Sequence, residues 1–516
     1  MNENKLNAAL DALANQYPGP GGVAGVVHEG RVVASRAWGY KNLGTAEPMT
    51  RATRLPICSI SKQFTCGVLL DQIGDADRLN DRVARYLPAL ETEAPRVTEL
   101  AHNQSGLRDY WALSVLQGGR AEQTFGRGDA LPLLGTIRTG HFPPGTGYSY
   151  NNGNFRILAE LIEAETGRSL EELYREVIWD PAGMKTAELT PDTRQPADGV
   201  VGYEGCDATG FFPADNGIYW RGDAGISASL DDMLAYEAWI DATRDAPDGL
   251  YRRMSARPTF RDGSAATYGY GLAHMEIAGL KATGHAGALR GFRSVRFNLA
   301  RERLSIVVIF NHEANMFGAA FGLLHAALDI EAPKHAPVPE GWDGQWICRG
   351  TGLLARMSTA GTDATLRFST FPDVLHVEGD GLKGGEVTVA REGDALRMRR
   401  AGENLEVVLD PLEVLSDADG GDLAGRYVSE ETGGAVEIES RDGGVYCRFE
   451  GILGTGIMER VHPAGPDVWI VATRRSMDAP APGDWTLRVR RDGAGAVAGF
   501  ELGCWLARGI GYVREG

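Results

Sequence analysis

The chain has 516 residues, 43% of them hydrophobic and 23% charged, with a formal net charge of −17. That length exceeds one ordinary domain and suggests about three. A field of that sign repels polyphosphate and excludes a nucleic-acid partner, and no run of the sequence reaches the roughly 18 apolar residues of a membrane span.

In chain order, the N-terminal MNENKLNAALDALANQYPGPGG reads as a short amphipathic helix ended by Pro18 and Gly19. It lacks the basic start and apolar run of a signal peptide, so a cytoplasmic protein is expected. Residues 22–40 hold two β-rich runs around a turn at His28-Glu29-Gly30, a hairpin signal. A helical region follows, with apolar positions three or four apart in QFTCGVLLDQIG, NFRILAELIEAETG and SLEELYREVI. Gly74 and Gly167 mark helix ends. Strand-like runs return at 268–312. Strands at both ends with helices between them predict an α+β domain over residues 1–330, its antiparallel sheet built from both termini.

The character then changes. The Pro-rich stretch 331–341 reads as a linker. Beyond it come short alternating runs between Gly and Asp turns, broken by the acidic SDADGGD at 416–422. They predict two small antiparallel all-β barrels, over 338–415 and 423–516. Cys58, Cys66, Cys206, Cys348, Cys447 and Cys504 are too sparse for a disulfide framework. No HExxH or Cys/His cluster is present, so neither metal nor cofactor is expected.

Three segments carry chemistry. In Ile57-Cys58-Ser59-Ile60-Ser61-Lys62, a helix starting at Ser59 puts Lys62 one turn on, on the same face. A serine hydroxyl needs a neighbouring base, and a lysine kept neutral by burial can serve. Serine is equally a favoured helix N-cap, so Ser59 alone leaves both readings open. In His141-Phe142-Pro143-Pro144-Gly145-Thr146-Gly147-Tyr148-Ser149-Tyr150-Asn151-Asn152, Tyr150 can relay a proton and Asn152 can hold a substrate amide. Alternatively Asn152 caps the helix that follows. In Thr283-Gly284-His285-Ala286-Gly287-Ala288, small residues let a substrate backbone approach, and His285 offers a positive or donor group.

The order SxxK, YxN, HxG resembles the penicillin-recognising serine hydrolases, which include class C β-lactamases and DD-peptidases. AHNQSGLRDY at 101–110, DPAGMKTAEL at 180–189 and GDAGISASLDDML at 222–234 add to the likeness. The resemblance implies a seryl acyl-enzyme on Ser59 with Lys62 or Tyr150 as base. It makes the backbone N–H groups of Ser59 and Ala288 the oxyanion hole, and Gly287 a substrate-binding residue. His285 stands where the family usually has lysine and is a weaker carboxylate anchor.

With its two extra β units, the whole chain is similar to the D-aminopeptidase family of bacteria. In that family a loop from the last β unit enters the cleft. Here that loop is Arg474, Arg475, Ser476, Met477, Asp478, Ala479, Pro480, Ala481, Pro482, Gly483 and Asp484. Asp478 is then expected to bind the free α-ammonium of the substrate, because an unpaired buried charge is costly. The resemblance implies release of an N-terminal D-residue, D-alanine above all, from small peptides, amides and esters, by a homodimer. The alternatives are an esterase or β-lactam-hydrolysing enzyme on the same fold, or an idle binding protein.

Overall fold

The computed structural model describes residues 1–331, 333–369, 372–473, 476–478 and 484–516. Its first sheet has eight antiparallel strands, in the order Glu47–Pro48, Arg31–Asn42, Gly21–His28, Leu304–Phe310, Phe292–Leu299, Leu280–Leu289, Leu272–Ile277 and Tyr268–Gly269. Strand Gly21–His28 lies beside Leu304–Phe310, with Gly22 opposite Phe310 and Val26 opposite Ile306. The sheet is thus built from both ends, as the sequence predicts. Glu29 and Gly30 turn the first hairpin, both at positive φ (49° and 74°), the conformation a tight two-residue hairpin turn requires.

Strand Leu304–Phe310 shows how alternation divides the core. Ile306, Val308 and Phe310 pack with the helices Glu3–Gln16 and Met316–Leu328 through Leu6, Leu10, Leu13, Leu323 and Leu324. Val307 and Ile309 point the other way and join Phe64, Leu158 and Leu234 of the helical region. Successive side chains leave opposite faces of a strand, so every residue of this one is buried. No described helix is long and apolar enough to cross a membrane.

Among the helices, Ser61–Val68 runs into a π-turn, Leu69–Ile73, and stops at Gly74. Helix Asn152–Thr166 is capped by the side chain of Asn151, which accepts from Asn154 N–H, and ends at Gly167 in the left-handed conformation. Asn152 therefore caps nothing, and its side chain is free for other work.

Eight strands from Gly344–Cys348 to Leu405–Pro411 close into a barrel, the first pairing with the last. Alternate residues such as Leu366, Phe368, Leu396 and Met398 fill it. A second ring of eight runs from Gly425–Val428 to Ala507–Arg514, with Gly454–Thr455 as an extra edge piece. Pairing of Ala435–Arg441 with Gly444–Gly451 closes it. Its core residues, including Tyr427, Phe449 and Phe500, are continuous with the core of the helical region. Residues 472–484 connect its strands Val468–Val471 and Trp485–Arg491.

Candidate active site

Ser59 sits in a 3-10 turn, Cys58–Ile60, immediately ahead of the helix Ser61–Val68. The turn is sharper than a helix starting at Ser59. Cys58 is buried and held at φ 52°, a left-handed conformation that non-glycine residues seldom adopt. Strand Leu280–Leu289 backs this turn. A Cβ on Gly287 would lie 2.5 Å from the Ile57 carbonyl and 2.8 Å from Cys58 Cβ, so only glycine lets the strand come so near. Ser294 Oγ donates to the same Ile57 carbonyl at 2.9 Å. Ala288 follows on the strand, partly exposed and opposite Arg293.

Lys62 is wholly buried. Its Nζ lies 3.1 Å from Ser59 Oγ, 2.7 Å from Asn152 Oδ1 and 2.8 Å from the Asp223 carbonyl oxygen. Burial lowers its pKa to about 8, against the pull of Asp223, Asp109 and Asp478. The last two contacts can only accept. A neutral amine has two hydrogens, which they consume, so its lone pair faces the Ser59 hydroxyl.

The segment 148–152 enters beside this pair. The Tyr150 ring centroid is 5.0 Å from Lys62 Nζ. Burial raises the Tyr150 phenol well above its usual range, and a hydrogen bond with the Ser59 side chain pulls the other way. Tyr150 is therefore a neutral phenol. The Asn152 amide nitrogen faces Asp109, with Nδ2 at 3.2 and 3.3 Å from the two carboxylate oxygens. The backbone N–H of Asn152 donates to the same group at 2.6 Å. Asp109 is fully buried, and burial, then the charge of Asp478, raises its pKa to about 7.

His285 is placed near Tyr150, ring centroids 6.1 Å apart. Its Nδ1 meets the Ala286 carbonyl, an acceptor only, so Nδ1 carries the hydrogen. Nε2 then accepts from the Tyr268 hydroxyl at 2.8 Å. Burial, with Lys62 close by, lowers its pKa to about 3. Of the positive or donor group expected at His285, burial favours the neutral form, which carries its one hydrogen on Nδ1.

The loop of the second barrel is described at residues 476–478 and 484. Arg474, Arg475, Ala479, Pro480, Ala481, Pro482 and Gly483 lie outside the described residues. Ser476 and Met477 are buried, and Met477 joins the core of the helical region beside Gly119. Ser476 Oγ donates to Asp478 Oδ1 at 2.9 Å, and Arg290 N–H donates to the Asp478 carbonyl at 2.9 Å. Burial raises the Asp478 carboxyl to about 6, and its charge is felt at Lys62 and Asp109. Asp478 also acts on Cys58, the residue before Ser59. Asp484 pairs with Arg356 of the first barrel, and its carbonyl accepts from Ser369 Oγ at 2.6 Å.

Asp109, Asp223 and Tyr268 were given no role by the sequence motifs. The first two fall inside the family-like stretches 101–110 and 222–234, but nothing local marks either carboxylate as acting on Lys62. Asp223 Oδ2 accepts from Tyr110 at 2.7 Å. Among the described residues no cluster of ligand-type side chains is arranged to hold a metal ion.

Fold and cleft together are of the beta-lactamase type. The family described as Beta-lactamase matches residues 6–328, and the family described as D-aminopeptidase, domain B, matches residues 335–513. A D-aminopeptidase of Cereibacter sphaeroides is 63% identical over 99% of this chain and 98% of its own length. A D-aminopeptidase of Brucella canis is 47% identical over the same shares, 99% and 98%. The solved D-amino acid amidase of Ochrobactrum anthropi, complexed with D-phenylalanine, shares the fold with a TM-score of 0.52 at 20% identity, over 64% of this chain and 99% of its own. The chain belongs to the D-aminopeptidase family within the beta-lactamase fold.

Proposed function

We propose that the protein is a D-aminopeptidase, releasing an N-terminal D-residue, D-alanine above all, from small peptides, amides and esters through an acyl-enzyme on Ser59. The observation that carries this reading is the Lys62 Nζ, 3.1 Å from Ser59 Oγ, with its other two contacts both pure acceptors. Neutral Lys62 takes the Ser59 proton as Oγ attacks the carbonyl carbon. The resulting oxyanion lies against the backbone N–H groups of Ser59 and Ala288, donors of a kind each worth about 3 kcal/mol of barrier. The C–N bond breaks, and the leaving amine takes the proton from Lys62 by way of the Tyr150 hydroxyl. Water then adds to the ester, giving up its proton along the same path, and Ser59 leaves with it.

Of the two base candidates, Lys62 is favoured. Its amine loses its proton at about 8, whereas the Tyr150 phenol is raised away from neutral pH. Asn152 is a support for Lys62 in this scheme, and neutral His285 holds Tyr268 in place instead of carrying charge to the substrate. Amine recognition rests on Asp478. Asp109, Asp223 and Asp478 act on a single lysine, and the carboxyls of Asp109 and Asp478 are raised. An incoming α-ammonium relieves that excess, and an acetylated amine does not.

The relatives' name supplies the stereochemical preference. The test is a panel of D- and L-aminoacyl p-nitroanilides, each with free and acetylated amines. Cleavage of D-alanine p-nitroanilide, its loss on acetylation and a Ser59 adduct by mass spectrometry are expected. Cleavage of simple esters alone would leave an esterase. A cytoplasmic location and a homodimer belong to the same proposal, to be checked by cell fractionation and light scattering.

A further inference from the structure

Asp109 occupies the N-cap position of the helix Tyr110–Leu116 yet makes no side-chain cap. An aspartate there ordinarily turns its carboxylate onto the first free N–H groups of its helix. This one turns away, into the core, and takes three contacts from Asn152 instead: the backbone N–H at 2.6 Å and Nδ2 at 3.2 and 3.3 Å. Its backbone is tied from the other side, its N–H donating at 3.0 Å to the Leu506 carbonyl in the second barrel. The forgone cap needs a reason.

The two ends of an asparagine amide have the same shape and opposite hydrogen-bonding sense. Only the partners decide which end points where. Above its raised pKa of about 7 Asp109 is a carboxylate with no hydrogen to give, so under the conditions that leave Lys62 neutral it can face only the nitrogen. The Asn152 oxygen must then face Lys62, which it does at 2.7 Å. If the amide were reversed, NH2 would meet Lys62, and the lysine would turn its lone pair to Asn152 and away from Ser59.

We propose that Asp109 is a positioning residue, which fixes the direction of the hydrogen-bond chain Asn152–Lys62–Ser59 and so keeps the lone pair of Lys62 on the nucleophile. Leu506 gives the second barrel a hand in this through the backbone of Asp109, separately from the loop that carries Asp478. The inference rests on Ser59 being the nucleophile and Lys62 its base.

The test uses the full-length enzyme and D-alanine p-nitroanilide. Asp109→Asn keeps the shape but adds a donor, so the Asn152 amide is no longer forced one way. A kcat loss of about 100-fold is expected, with KM changed by less than about threefold. A merely structural effect would add to other lesions. Because Asp109 works through Asn152, Asp109→Asn combined with Asn152→Ala should be no slower than Asn152→Ala alone, within about twofold. Asp109→Ser, a smaller residue, serves the same cycle if Asp109→Asn does not fold. A single variant within about threefold of wild type, or a double variant showing the full product of both losses, overturns the proposal. Ser59→Ala is run alongside. If it keeps its activity, the nucleophile reading has failed, and that outcome is distinct from a wild-type Asp109→Asn beside a dead Ser59→Ala.

Discussion

The two barrels have the same number of strands in their closed rings and quite different relations to the cleft. The first keeps a core of its own, around Leu366, Phe368 and Met398. It reaches the cleft region through the turn Ala401–Glu403, where the Glu403 carbonyl accepts from Tyr148 N–H at 3.1 Å. The second shares its core with the helical region. It carries Asp478, whose charge acts on Lys62, and sets the Leu506 carbonyl on the Asp109 N–H. Architecture alone therefore does not say what an appended domain does. Continuity of its core with the catalytic domain, and the backbone bonds crossing between them, do.

The sharpest way to break the comparison is to make the same lesion in both. Phe368 and Phe500 are each fully buried, one per barrel. Truncating either to alanine should cost about 3–5 kcal/mol locally. In calorimetry, Phe500→Ala should lower the transition in which activity is lost, because that barrel unfolds with the helical region. Phe368→Ala should lower only a separate transition and leave the temperature of activity loss unchanged. Equal effects of both on that temperature would erase the distinction.

Next in size is Asp478→Asn, which removes the charge the second barrel lends to the cleft. Cleavage of D-alanine p-nitroanilide should fall by about 100-fold in kcat/KM, as for the loss of a desolvated charge contact. Cleavage of N-blocked esters should hardly change. The same variant should be more stable at neutral pH. The folded-state pKa of Asp478 is raised from 3.8 to about 6, so the native state binds more protons than the unfolded state between those values. Stability is lost as pH rises through that window, and the loss is complete above 6. The gain in melting temperature from Asp478→Asn should therefore be present at pH 7–8 and vanish below pH 4, which a set of melting curves will show.

The pH profile sharpens the same point. Lys62 must be neutral and Asp109 and Asp478 ionised, and these lose protons at about 8, about 7 and about 6. All three lie on the acid side of kcat/KM, which should rise in more than one step, with apparent values that belong to the coupled set. Asp478→Asn should delete the lowest step for free-amine substrates and leave the rest. A profile that rises only once in the wild-type enzyme would remove Asp478 from the ionising set.

Much of this arrangement could be read from the sequence, and the exceptions share a cause. The hairpin at Glu29-Gly30, the sheet from both termini and the two β units follow from period and turn residues, which are local signals. Ser59, Lys62, Tyr150 and Asn152 stand at spacings that two motifs mark out. The barrels share a strand number without a repeat visible in the chain, because an alternating strand constrains polarity and not identity. The neutral state of His285 was not legible, since it comes from Lys62 and from burial on a strand more than 200 residues further on. The same holds for the three carboxylates around Lys62. Each belongs to a different segment, and only folding brings them to one lysine.

The smallest expected effect concerns the node where both barrels meet the cleft. Glu403 Oε1 accepts from Trp505 Nε1 of the second barrel at 3.2 Å, while its backbone carbonyl holds Tyr148 N–H. Trp505 also packs near the Tyr148 ring, centroids 6.5 Å apart. Trp505→Phe keeps an aromatic ring and removes the one hydrogen bond, which costs about 1 kcal/mol. Glu403 retains Arg400 at 2.6 Å, so its turn should stay in place and kcat should fall by no more than about threefold. A loss as large as that of Asp109→Asn would mean that the node, and not the Leu506 contact, is how the second barrel holds the cleft, and the two barrels would then act on it as one.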